Sequence, residues 1–112
     1  MKKLEIVVRS EKLDDVKAIL DECGSTGAMV SNIMGYGNQK GYKTTYRGSE
    51  YVVNLIPKVK IETISNDDVA DKIVNMICDR ISTGKFGDGK IFIYDVADVV
   101  RIRTGEHGET AL

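Results

Sequence analysis

Residues 35–61 read GYGNQKGYKTTYRGSEYVVNLIPKVKI. Three glycines, Gly35, Gly37 and Gly41, fall in the first seven residues, and Tyr46-Arg47-Gly48-Ser49-Glu50-Tyr51 follows. No hydrophobic periodicity sets in before Val52. The stretch therefore reads as a polar excursion of about twenty residues without regular structure, a length that compact domains keep for function. On its far side, after Pro57, Lys58 to Ile64 alternates polar and apolar as a half-buried strand does. On its near side, Ala28 to Met34 is an apolar run of strand length.

Working outward, Lys3 to Arg9 alternates with Leu4, Ile6 and Val8 on one face. Ser10 offers an N-cap, and Leu13, Val16, Ile19, Leu20 and Cys23 recur at helical spacing until Gly24 stops the helix as a C′ residue. Ser65 and Asp68 fit a capping box. They precede a helix with Val69, Ile73, Ile77 and Ile81 in one stripe, Asp67 and Asp68 at its start and Arg80 near its end. After the turn TGKFGDGK, Lys90 to Val96 is a strand. The order strand, helix, strand, excursion, strand, helix, strand is two βαβ units. It predicts an α+β, ferredoxin-like split-βαβ domain over 1–112, with an antiparallel sheet, both helices on one face and a functional loop at about 37–55. Val7, Ile91 and Ile93 make the strands apolar on both sides in places, so self-association is expected to cover the second face.

Apolar residues are 42% of the 112, enough for one core. Sixteen basic against 17 acidic residues give a net charge of −1 and no whole-molecule case for nucleic acid. The apolar stretch at the N-terminus, Leu4 to Val8 broken by Glu5, is too short for a signal peptide, so a cytoplasmic protein is expected. No run approaches the ~20 apolar residues of a membrane span. Cys23 and Cys78 lie on apolar helix faces and read as small buried hydrophobes.

Gly84 to Lys90, GKFGDGK, nearly matches a P-loop, but Ile91 stands where a hydroxyl should hold Mg²⁺, and the turn leads from helix to strand. Its glycines can still aim N–H groups at an anion beside Lys85 and Lys90, and a plain flexible turn fits the residues equally well. Arg101 and Arg103 flank Ile102; if extended, both guanidiniums point one way and suit a polyphosphate, surface ion pairs being the alternative. Gln39 lies between Gly37 and Gly41, where backbone can approach a ligand and an amide oxygen can reach a hard cation. Lys58 could pair with a carboxylate, and Tyr51 could accept a modification or enter a partner's pocket. His107, the one histidine, sits in a polar tail and is given no catalytic role. No nucleophile–base pair can be assembled, so no enzyme is read; slow ATP hydrolysis at the anion site is the rival. Phe92 and Tyr94 would allow a single-strand RNA binder, which the charge balance disfavours.

Gln39-Lys40-Gly41, Tyr46 to Tyr51, Leu55 to Ile61, Thr83 to Phe92 and Arg101 to Glu106, in this order and spacing, resemble the signatures of the PII nitrogen-regulatory signalling proteins. The resemblance covers the whole chain. It implies a homotrimer with ATP or ADP in clefts between subunits. Gly37, Asn38, Gly87, Asp88, Gly89 and Lys90 would hold the phosphates, Arg101, Ile102 and Arg103 would come from the neighbour, and Met29 and Ile64 would line the adenine side. With Mg²⁺ and ATP, 2-oxoglutarate would chelate the metal beside Gln39, with Lys40, Gly41 and Lys58 around it. Tyr51 matches the tyrosine that is uridylylated or adenylylated. The implied partner is an ammonium channel or another protein of nitrogen metabolism, with no direct nucleic acid and a membrane only through that partner. An adenine-nucleotide sensor without a 2-oxoglutarate response is the close alternative. The chain departs from the family at Asn38, where many relatives carry arginine, and at Met29, where a small hydroxyl residue is common.

Overall fold

The structure is a computed structural model that describes residues 1–36, 42–46, 48–53 and 55–112. Among the described residues six strands and two α-helices follow in the order β1 (Lys2–Val8), α1 (Leu13–Glu22), β2 (Met29–Tyr36), β3 (Tyr42–Tyr46), β4 (Ser49–Val53), β5 (Leu55–Ser65), α2 (Asp67–Arg80) and β6 (Lys90–Asp95). The main sheet is antiparallel throughout, in the order β2-β5-β1-β6. Both helices pack on one of its faces, so the split-βαβ expectation holds. None of the described helices is long and apolar enough to cross a membrane.

The strand periodicity decides which face the helices cover. Leu4, Ile6 and Val8 of β1 and Val59 and Ile61 of β5 are buried under Val16, Ile19, Leu20, Ile73 and Ile77. Gly24 ends α1 as expected: at φ +76° it lets Ser25 N–H reach Leu20 O at 2.9 Å and its own N–H reach Asp21 O at 3.1 Å.

Several details differ from the sequence expectation. The excursion is not without regular structure, because β3 and β4 form a two-stranded hairpin inside it, Tyr46 opposite Ser49. Strand β5 begins at Leu55 and runs through Pro57, opposite Met34. That register is open to proline because β1 pairs with β5 only as far as Val8–Val59, leaving a partner on one side at residue 57. Ser10 opens a 3₁₀ turn, Ser10–Lys12, and caps nothing. Helix α2 is capped by Asn66, whose Oδ1 accepts from Val69 N–H at 2.9 Å; Ser65 is the last residue of β5, its hydroxyl buried without a partner. Asn66→Ala should therefore cost about 1 kcal/mol in denaturant melts. Ser65→Ala should cost nothing, since it removes an unsatisfied buried hydroxyl; equal losses for the two would contradict this assignment. Cys23 is buried as expected, but Cys78 is exposed.

The second sheet face draws its apolar residues from other positions than expected: by register Met29, Ile33, Ile56, Phe92 and Tyr94 lie on it. Ile91 and Ile93 pair with Ile6 and Leu4 and so lie on the helix side; of the three apolar residues expected on the second face only Val7 is there. Around it stands a charged ladder. Lys3 Nζ lies 3.3 Å from Glu5 and 3.1 Å from Glu62, and 5.4 Å from the Tyr94 ring centre, while Tyr94 O–H donates to Glu5 at 3.2 Å.

Candidate functional site: a cationic cleft beside the glycine turn

The turn before β6 is held from both sides. Asp88 folds back so that its carboxylate accepts from Thr83 N–H at 2.8 Å, Gly84 N–H at 3.0 Å and the Thr83 hydroxyl at 2.5 Å. The Thr83 hydroxyl and then its N–H are the main reasons the Asp88 carboxyl titrates below the ordinary aspartate range. Asp88 thus staples the turn, and its side chain is not available to a phosphate; only its main chain is. Because the carboxyl is depressed in the folded state, its contribution is complete above the ordinary aspartate value, about 3.9. It is lost as pH falls through the lower folded value. The amide resonances of Thr83 and Gly84 should stay fixed from neutral pH down to that value and move only below it. A titration centred above it would show that the staple is absent.

From the other side, Arg9, one residue past β1, donates from Nε to Gly87 O and from Nη2 to Phe86 O, both at 3.1 Å. Gly89 at φ +108° presses on β1: a Cβ there would overlap the carbonyl oxygen of Val7 and stand 3.0 Å from its carbon. Register Val7–Lys90 then places Lys90 on the second sheet face, the face that also carries Lys58.

These groups border a cleft of about 340 Å³ lined by Val7, Gly35, Tyr36, Ile56, Lys58, Phe86, Gly87, Gly89, Lys90 and Phe92. Lys58 Nζ is 3.5 Å from Gly87 O. Burial first, and the nearby Arg9 guanidinium second, hold its ammonium below the ordinary lysine range. Among the described residues no aspartate or glutamate lines the cleft. Two lysines beside glycine backbone, with no described carboxylate to neutralise them, suit a multiply charged anion, and the apolar walls suit a ligand with a flat or aliphatic part.

The other sequence candidates divide. Met29 and Ile64 line a separate cleft of about 210 Å³ with Glu62 and Leu112. It lies toward the other end of β5, six residues from Lys58, or about 20 Å at 3.3 Å per residue. Arg101 to Arg103 are not extended. They enter a turn closed by Arg101 O, which accepts from Gly105 N–H at 2.7 Å, so the extended backbone that would aim both guanidiniums one way is not formed. Arg101 is turned toward its own chain, Ile102 is 99% exposed, and none of the three lines the Lys58–Lys90 cleft. Tyr51 lies on β4 opposite Thr44. Gly37, Asn38, Gln39, Lys40 and Gly41 lie outside the described residues. Among the described residues no three His, Cys, Asp or Glu side chains gather to hold a metal, so a metal reading rests on Gln39. Arg9 was not identified from the sequence. Its role follows only from the β1–β6 register, which brings it beside residues 86 and 87.

Against known proteins, residues 1–106 match the family model described as Nitrogen regulatory protein P-II. The chain is 50% identical over 112 residues to the Nitrogen regulatory protein P-II of Klebsiella oxytoca, covering 100% of each. It is equally similar to Nitrogen regulatory protein P-II 1 of Escherichia coli K12, again 50% over 112 residues and 100% of each. Among solved structures, B. subtilis GlnK superposes with a TM-score of 0.80 at 34% identity, covering 99% of this chain and 97% of that one.

Proposed function

This chain belongs to the nitrogen regulatory protein P-II family, and from that premise we propose that it is a homotrimeric sensor of ATP, ADP and 2-oxoglutarate. It acts by contact rather than catalysis, through residues 37–55, on an ammonium channel or another protein of nitrogen assimilation. The observation that carries the reading is the cleft where Lys58 and Lys90 meet the Gly87–Gly89 backbone, without an acid among the described residues that line it.

Each protomer carries two half-sites at opposite ends of β5, one cationic and one bordered by Met29 and Ile64. A nucleotide is shorter than the span between them, so the anion half of one protomer and the base half of its neighbour would be joined in the trimer. Lys90 and the main chain of 87–89 receive the phosphates, and Arg103, exposed on its turn, reaches them from the neighbour. Gln39 would be the chain's own ligand to a Mg²⁺ carried on ATP, and that metal would supply a Lewis-acid centre for the 2-oxo acid. Lys58, desolvated and close to Arg9, pairs with the distal carboxylate, which offsets the burial and, second to it, the Arg9 repulsion that depress its ammonium. The anion would then be shared between the sheet and the 37–41 segment, so occupancy would bias the conformation of the arm that meets the partner. Tyr51, on that arm, is the position for nucleotidylylation.

Calorimetric titration of 2-oxoglutarate, once with MgATP and once with MgADP, tests this. Binding with MgATP alone is expected, and Lys58→Met should weaken it by about 10- to 100-fold, the worth of one desolvated charge pair. The same variant should hold ADP almost unchanged, while Lys90→Ala weakens ADP and ATP alike. Nucleotide binding without any 2-oxoglutarate response would reduce the protein to an adenylate sensor. Steady hydrolysis abolished in Lys90→Ala would make it an ATPase, and no nucleotide binding would remove the reading.

A further inference from the structure

We propose that Met29 is a site of reversible oxidation: a hydroperoxide converts its thioether to a sulfoxide, and the modified chain holds a nucleotide less tightly. The inference rests on the nucleotide-sensor reading above, because Met29 borders the cleft assigned to the base. Met29 opens β2, the edge strand of the main sheet, and is 62% exposed. Opposite Glu62, it stands on the second sheet face. An oxidant reaches the methionines that solvent reaches, and a cleft that takes a base admits a peroxide whenever the base is absent. The other three methionines differ. Met1 and Met76 are partly buried, and Met76 Sδ lies 3.2 Å from Cys23 Sγ. Met34 is 57% exposed, but opposite Pro57 it stands on the helix side of the sheet and lines neither half-site cleft.

The step balances without a cofactor. The Met29 sulfur attacks one oxygen of the hydroperoxide, the O–O bond breaks, and the new S–O group gives up its proton to the departing hydroxide or alkoxide. Sulfur is oxidised by two electrons, the peroxide is reduced by two, and water or an alcohol leaves. What changes is the wall of the cleft. The thioether is a soft apolar surface in the company of Ala28, Ile64 and Leu112, suited to the face of an aromatic ring. The sulfoxide is a strong dipole, hydrated in the empty cleft, and a base seated against it must strip that water. Glu62, across the β2–β5 ladder, already brings an acceptor to the same cleft, and the sulfoxide oxygen adds another without adding a donor. The change can be undone, because dedicated reductases, one for each sulfoxide epimer, return the thioether.

The test uses the full chain, hydrogen peroxide as the oxidant and ADP as the probe, with a thiol reductant added afterwards so that cysteine disulfides and sulfenic acids are reversed and sulfoxides persist. Peptide mass spectrometry should find one added oxygen on Met29 of the free protein, and saturating ADP should shield Met29 but not Met34. Calorimetry should show the oxidised chain binding ADP roughly tenfold more weakly, with the loss recovered after treatment with methionine sulfoxide reductases. The thermal midpoint without nucleotide should stay where it is, since an exposed side chain has been changed, and this separates lost binding from lost fold. Two volume-conserving variants assign the effect. Peroxide should weaken ADP binding in Met34→Leu as it does in the unaltered chain, whereas in Met29→Leu the affinity before and after peroxide should be the same. No oxidation of Met29, no shielding by ADP, sulfoxide at Met29 with unchanged affinity, or a loss that persists in Met29→Leu would overturn the inference and leave the sensor reading standing. If the untreated protein binds no ADP, the sensor reading falls and takes this inference with it.

Discussion

Gly89→Ala should lower the stability of the folded chain by roughly 3–5 kcal/mol, the upper range for a single substitution, and, on the proposed sensor reading, should abolish nucleotide binding. Two costs coincide at this residue. At φ +108° an L side chain is strained wherever it sits, and here the added carbon also meets backbone, the Val7 carbonyl and Val8 Cα at 3.2 Å. Backbone in the middle of a four-stranded sheet cannot swing aside as a lysine end could, so either the turn lifts off β1 or the Val7–Lys90 pairing breaks. Both outcomes displace Lys90. Gly105→Ala is the control: φ is +72° but nothing lies within 4 Å of the added carbon, so only the left-handed strain of about 1 kcal/mol applies. Equal midpoints for the two variants in denaturant melts would contradict the close contact at Gly89.

Ile73→Ala is the second large effect, and it separates stability from binding. Ile73 is fully buried at the centre of the α2 stripe, in the cluster that includes Leu4, Ile6 and Ile61. Removing three carbons from such a site leaves a cavity that a closely packed helix and sheet do not refill, for a loss of about 3–4 kcal/mol. At ~4 °C per kcal/mol for a chain of this size, the melting temperature should fall by roughly 15 °C. The cationic cleft is on the opposite sheet face, so below the transition the variant should bind ADP as the unaltered chain does. A variant that melts normally would place Ile73 outside the core, and one that is stable but does not bind would couple the two faces.

The elements that the sequence makes legible are those whose burial follows one period. Helix α2 shows Ile73, Ile77 and Ile81 at helical spacing, and β1 and β5 alternate cleanly because one face of each meets the helices. The β3–β4 hairpin escapes this reading because Tyr42 to Tyr46 and Ser49 to Val53 show no single apolar face. The capping residue of α2 is missed by one position. Ser65, Asn66 and Asp67 are all good caps, and only the end of the β1–β5 ladder at Ser65 decides among them. At the site, Gly87, Gly89, Lys90 and Lys58 are visible as residue types with a known affinity for anions. Arg9 and Asp88 are not, because their work is set by register and by the fold of a turn. The Arg101–Arg103 spacing implies a shared face only in extended chain, and here the chain turns.

Pro57 has a consequence for how the protein behaves in a crowded solution. In an antiparallel ladder, a residue that exchanges hydrogen bonds across to its opposite number must have an N–H. Pro57, opposite Met34, therefore directs its nitrogen away from β2, toward the flank that β1 has already left. Among the described residues no strand pairs with that flank, from Leu55 to Lys58, the kind of rim on which a stray extended segment can crystallise and begin a fibre. A proline there offers the intruder no donor and a ring in its path, so the arm can lengthen the sheet on one side without inviting growth on the other.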